Sequence, residues 1–224
     1  MAQALAESIF DVVYLGFVII IGIYLVMKGE KGSLTRSFGI MAIVLGAGDA
    51  FHLIPRMAAL WTTGLEANAA ALGIGKLITS ITMTIFYLIL YYVWRKRYQI
   101  QGRNGFTVAM WALAIARIIL CALPQNQWLS YQQPLFWGIL RNIPFAVMGI
   151  LFIVAFAEEA SRAGDKVFRF MWLAITLSFA FYLPVVLFAE RIPMIGMLMI
   201  PKTLAYVWVV VMGLNSYRQT KKEA

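Results

Sequence analysis

The chain is poor in the residues from which most catalytic and metal centres are built. Its 224 residues include one cysteine and one histidine, and ten acids stand against nineteen lysines and arginines. A lone Cys121 excludes an intrachain disulfide and a cysteine-based metal cluster. His52 has no second histidine to join it, which argues against a metallohydrolase centre needing several imidazole ligands. No metal and no cofactor is therefore expected. Glycine-rich phosphate loops and paired catalytic carboxylates are missing as well. No segment alternates at period two, so an outer-membrane barrel is not expected. Nor is there a linker, a low-complexity tract or a soluble domain.

What the chain has is apolar length. It is 62% hydrophobic with a mean hydropathy of +0.80, against about 45–50% apolar residues in soluble domains. Seven apolar stretches run over Ser8–Met27, Ser37–Leu60, Leu72–Trp94, Phe106–Leu123, Leu135–Ala157, Phe170–Phe188 and Met194–Tyr217. Each is near the ~20 residues that cross a bilayer core as a helix. The first lacks a basic leading region and a small-residue cleavage site, so it reads as a retained helix. The expected fold is all-α: a polytopic seven-transmembrane-helix bundle, with residues 1–224 forming a single integral membrane domain.

Charge then sets the orientation. Lys28, Lys31 and Arg36 follow span one; Arg95, Lys96, Arg97 and Arg103 follow span three; Arg162, Lys166 and Arg169 follow span five; Arg218, Lys221 and Lys222 end the chain. The opposite connection 125–134 has no cation. The positive-inside rule places the basic loops in the cytoplasm, with the amino terminus outside and the carboxyl terminus inside, in the cytoplasmic or plasma membrane. The net charge of +9 is then mostly a topology signal that favours anionic lipid headgroups. Nucleic acid is not an expected partner, because the cations form short juxtamembrane loops and no binding face.

A weak internal repeat is also visible. Even spans end in leucine–proline corners, at Leu53-Ile54-Pro55, Leu123-Pro124 and Leu183-Pro184, and each following odd span carries a cation: Lys76, Arg141 and Lys202. This pattern suggests one helix followed by three tandem helix hairpins. Pro55, Pro144, Pro184 and Pro201 fall inside spans, where each frees a carbonyl one turn earlier.

The informative charges are those in or beside apolar spans: Arg56, Lys76, Arg117, Arg141, Arg191 and Lys202. A charge near the bilayer centre costs at least ~2.5–3.5 kcal/mol on insertion scales. Arg117, Arg141 and Lys202 are the deepest, roughly 9–17 Å below the outer boundary at 1.5 Å per helical residue. They are expected to point into the bundle beside Asn142, Tyr182 and Tyr206, with Trp137 and Trp208 as further walls. Arginine offers a fork for carboxylate or phosphate, lysine a point charge. Their counter-charge is either a ligand or Asp49, Asp11 and Glu190.

Span two holds Gly48-Asp49-Ala50-Phe51-His52-Leu53-Ile54-Pro55-Arg56, the densest polar run in the apolar stretches. Asp49, His52 and Arg56 share a helical face. They are suited either to acid–base chemistry or ligand binding, or to a structural network around a neighbouring cation. In span three, Lys76 with Thr79 or Ser80 forms a stripe expected to face Asp49, although such hydroxyls also satisfy their own i−4 carbonyls. Glu158, Glu159, Arg162, Asp165 and Lys166 read as a solvated helix end.

Seven spans with a lysine in the last one resemble retinal proteins, with Lys202 as the implied Schiff-base lysine. Here span three has no carboxylate counterion, and Arg117 and Arg141 would oppose a protonated Schiff base. The Gly48-Asp49 pair, with an aromatic-ended third helix, resembles the lysoplasmalogenase family of membrane lipid hydrolases; the match covers that dipeptide and the general layout. It implies an intramembrane lipid hydrolase with Asp49 and His52 as acid–base residues. The expectation from the charges themselves is a cation-lined cavity in the outer half that binds or transports a small anionic or lipid-headgroup ligand. A sensor or scaffold with purely structural buried charges is the third reading.

Overall fold

The computed structural model describes residues 2–189 and 191–223, and these contain helices and no strand. The helices are α1 (Ala2–Lys28), α2 (Leu34–Trp61), α3 (Ala69–Arg97), α4 (Asn104–Ala122), α5 (Leu135–Arg162), α6 (Met171–Phe188) and α7 (Met199–Glu223). Short 3₁₀ turns at Pro124–Asn126 and Pro193–Leu198 precede α5 and α7. Seven helices are long and apolar enough to cross a membrane.

Each helix packs on the next, and α7 returns to α1 and α2, so the seven close into a ring. The α1–α2 interface is as extensive as that of α2–α3, and α3 also reaches across to α5. Outward positions such as Val12, Ile20, Val108, Ile119, Ile150 and Val154 are apolar and exposed. Exposed apolar area of that extent marks a surface built for a non-aqueous neighbour or a partner. The interior is aromatic. The Tyr87 ring lies 4.9 Å from Phe145, 5.6 Å from Phe152 and 6.0 Å from Phe179, and Trp94, Tyr91, Phe38 and Phe168 are fully buried.

Glycine permits the close approach of α2 and α3. A Cβ on Gly48 would run into the Thr82 hydroxyl, and one on Gly75 into the Phe51 carbonyl. Their absence lets the backbones of α2 and α3 meet, and Thr79 Oγ1 donates to the Gly48 carbonyl at 3.0 Å.

The leucine–proline corners do not all end helices. α2 runs through Pro55 to Trp61 and α6 through Pro184 to Phe188; only α4 stops before its corner, at Ala122. An apolar helix packed among neighbours tolerates the missing donor, so proline there is not a terminator. Pro201 falls in the first turn of α7, where its absent N–H is no loss. The seventh apolar stretch accordingly starts as the 3₁₀ turn Pro193–Leu198 and becomes α-helical only at Met199.

The end of the ring formed by the loops 29–33, 98–103 and 163–170 is its basic end. The acidic run there is not simply solvated. Asp165 and Glu159 are buried. Asp165 takes a two-pronged bond from Arg97, at 2.8 and 3.0 Å, and caps the Val167 and Phe168 amides at 3.0 and 3.1 Å. Glu159 accepts from Arg103 at the start of α4 at 2.9 Å, while the more exposed Glu158 binds Arg162 at 2.7 Å. Burial alone raises a carboxyl pKa. At Asp165 that effect is outweighed by the Arg97 bonds and the two amides, which hold it below the usual carboxylate value. Burial and the Asp165 charge together push the Tyr98 hydroxyl well up.

Candidate functional site

The far half of the ring contains a buried polar cluster to which all seven helices contribute. Asp49 on α2 accepts a 2.7 Å hydrogen bond from the Tyr14 hydroxyl on α1. Lys202 on α7 lies close enough for the two charges to act on each other, though no Asp49–Lys202 ion pair within 4.0 Å forms among the described residues. The Lys202 ammonium lies instead over the rings of Tyr182 and Tyr206, 5.2 and 5.5 Å from their centroids. Two aromatic faces in a dry setting offset part of the cost of burying that charge.

Arg117 on α4 is 2% exposed. Its guanidinium carbon stands 3.4 Å above the centre of the Phe145 ring, and its Nε and Nη1 have no hydrogen-bond partner. Its polar neighbours are Tyr182, Cys121, Tyr206 and Tyr87, and no described carboxylate lies within 4.0 Å of it. Arginine does not shed its proton to escape burial. The Tyr87 hydroxyl lies beside Tyr206 and Ser178, also without a well-formed hydrogen bond. Tyr182 donates to Asn142 Oδ1 at 2.9 Å, and Asn142 Nδ2 to the Gly138 carbonyl at 2.8 Å.

Arg141 borders this cluster through Tyr182 and Cys121. It donates to Asn126 Oδ1 at 2.8 Å and stacks 4.3 Å from the Trp128 ring centroid. Asn126 is held in turn by the carbonyls of Leu120, Cys121 and Leu123 that the end of α4 leaves open. Arg141 thus has a rigid neutral partner and no described acid within 4.0 Å.

The expected residues divide. Asp49, Arg117, Asn142, Tyr182, Lys202 and Tyr206 come together, and Arg141 joins their edge. Arg56 does not: it forms a 3.0 Å ion pair with Glu7 of α1, and Asp11 has Glu7, Arg56 and Asp49 for charged neighbours. Asp11 forms no ion pair within 4.0 Å with Arg117, Arg141 or Lys202. Glu190 lies outside the described residues. His52 sits with Lys76, Arg56 and the Leu72 backbone, leaves Nδ1 unpartnered, and makes no hydrogen bond to Asp49. Lys76 is exposed; of the stripe after it, Thr79 reaches α2 at the Gly48 carbonyl beside Asp49, whereas Ser80 bonds the Lys76 carbonyl and Thr84 that of Ser80. Sequence reasoning missed Tyr14, Tyr87, Phe145, Asn126 and Trp128. For Tyr14 a signal existed: it follows Asp11 by three residues, on the same face of an otherwise apolar helix.

Two open recesses, of about 420 and 450 Å³, lie at the basic end and touch none of these residues. The chemistry of the far cluster is that of a donor-rich, acceptor-poor interior. Among the described residues two fixed cations face one carboxylate, Asp49, which is already bonded to Tyr14. No protein-family model, curated protein or solved structure matches the chain.

Proposed function

We propose that this chain is a seven-span protein of the cytoplasmic or plasma membrane, amino terminus outside and basic loops in the cytoplasm, that binds or moves a small anion or anionic lipid headgroup at the Arg117–Lys202 cluster. The orientation rests on the one-sided distribution of loop cations, and the apolar exterior supplies the lipid-facing surface. In that frame the cluster belongs to the outer half, with Arg141 on its outer edge.

One observation carries the binding reading: Arg117 is buried with two donor nitrogens, Nε and Nη1, unpartnered and no described carboxylate within 4.0 Å. Leaving a charged donor unsatisfied in a dry interior costs several kcal/mol, and stacking on Phe145 returns only about 2 kcal/mol. An anion accepting from Arg117 and drawn by Lys202 closes that deficit. Asp49, held by Tyr14, keeps the local charge low enough for one anion to balance it. The stacking itself favours a second reading, a purely structural cation–π anchor between α4 and α5.

The test is mass spectrometry of small molecules and lipids released from the purified protein. The binding reading expects one anionic species near one equivalent in the wild type, absent from Arg117→Met and reduced in Arg141→Gln. No stoichiometric anion in the wild type would remove it and leave the structural anchor. Uptake of the identified species into protein-loaded vesicles separates movement from binding.

A further inference from the structure

Arg95, Lys96 and Arg97 end α3, and Arg103 starts α4, yet these four cations are held in two different ways. Arg97 and Arg103 are bonded to Asp165 and Glu159. Arg95 and Lys96 have only neutral partners. Arg95 Nη1 donates to the Tyr91 hydroxyl at 2.8 Å and to Thr107 Oγ1 at 3.0 Å, and its Nη2 to the Ile100 carbonyl at 3.0 Å. Lys96 Nζ donates to Ser37 Oγ at 2.8 Å. No described carboxylate lies within 4.0 Å of either. Both cations line the recess of about 450 Å³, together with Tyr92, Gln99, Ile100 and Gln101. Left-handed backbone at Gln99, Gly102 and Arg103 folds the loop tightly beside it.

The recess meets the apolar exterior at an aromatic pair. Tyr92 and Trp111 are both exposed, and Trp111 Nε1 donates to the Tyr92 hydroxyl at 3.1 Å. Val108, Ile115 and Ile119 continue the exposed apolar face of α4. Tyrosine and tryptophan with polar tips and apolar bodies favour the headgroup level of a bilayer. Two cations without acids, two glutamine amides and an aromatic pair therefore adjoin one recess at the apolar boundary.

We propose that this recess binds the phosphate of an anionic phospholipid in the cytoplasmic leaflet, its chains running past Tyr92 and Trp111 along α4. The proposal rests on the membrane orientation given above and is independent of the outer cluster. A zwitterionic headgroup brings its own cation toward Arg95 and Lys96 and is disfavoured; an anionic one is not.

The test uses the full chain in detergent and native mass spectrometry with added phosphatidylglycerol or phosphatidylcholine of matched chains. Wild type should retain phosphatidylglycerol several-fold better. Lys96→Gln should weaken that retention on the order of fivefold and Lys96→Glu should abolish it, while Lys31→Gln, an equal charge loss elsewhere on the same face, leaves it intact. Equal retention of the two lipids, or equal loss in Lys31→Gln and Lys96→Gln, overturns the site. So does displacement of phosphatidylglycerol by millimolar inorganic phosphate, which would make it a soluble-phosphate site. Alkaline extraction of cell membranes scores the membrane reading separately. Release of the protein sinks that reading and the lipid site with it, whereas retention in the membrane with no lipid preference sinks the lipid site alone.

Discussion

The basic end and the far half of the bundle both set arginine against buried groups, and they do so in opposite ways. At the basic end Arg97 reaches from α3 to Asp165 after α5, and Arg103 from the start of α4 to Glu159 on α5, so the chain supplies its own counter-charge. In the far half Arg117 and Arg141 meet an aromatic face and an amide, and among the described residues the cluster's carboxylate, Asp49, is bonded to a tyrosine. The first arrangement ties helices together. The second retains unspent charge, which is what an anion site requires. Removing a charge should therefore be damaging at the basic end and mild in the far half.

The largest effect is expected at the basic end. Asp165→Ala leaves Arg97 without its carboxylate and exposes two capped amides, and should cost about 3 kcal/mol in thermal or denaturant unfolding. The pH dependence has a definite sign. A carboxyl whose folded pKa is depressed stabilises the protein above its unfolded value of about 3.9. That contribution fades as pH falls below that value and through the lower folded one. Asp165→Asn should flatten this acid limb of the stability curve. Undiminished acid sensitivity in that variant would assign it to other groups.

Next, Gly48→Ala presses a methyl against Thr82 at a close α2–α3 contact and should cost roughly 2 kcal/mol, read as a lowered Tm. Tyr14→Phe removes a donor to a buried carboxylate and should cost about 1.5 kcal/mol; an unchanged Tm would show that Asp49 finds another donor. Arg56→Gln breaks a half-exposed pair with Glu7 and should change stability by less than about 1 kcal/mol. A large loss there would blur the distinction between the two kinds of cation.

Much of this contrast was legible in the sequence, at the level of which charges are deep. The apolar runs located all seven helices, since each is long and bounded by charged loops. Asp49, Arg117, Lys202, Tyr182, Tyr206 and Asn142 were readable because polar groups in apolar helices have few places to go except inward. Rotation was not readable. Helices apolar on all sides carry almost no directional signal, so nothing told that Arg56 and Lys76 turn to the periphery, or that Tyr14 turns in. Cross-bundle partners such as Phe145 under Arg117 depend on which helices become neighbours. The leucine–proline corners misled for a related reason: packed neighbours compensate the missing backbone donor, so Pro55 and Pro184 sit within continuous helices. The cations that mark the repeat also occupy unlike settings, Lys76 exposed, Arg141 half-buried and Lys202 buried.

The most direct test of the unspent-charge account is the Tm of wild type and Arg117→Met in a gluconate background, titrated with chloride, acetate and inorganic phosphate. The account predicts that at least one anion raises the wild-type Tm. It also predicts that Arg117→Met is insensitive to that anion and, in gluconate alone, at least as stable as wild type, because a buried unpaired charge has been replaced by an apolar side chain. A wild type indifferent to all three anions, with Arg117→Met strongly destabilised in gluconate, would contradict it and make Arg117 a structural anchor on Phe145.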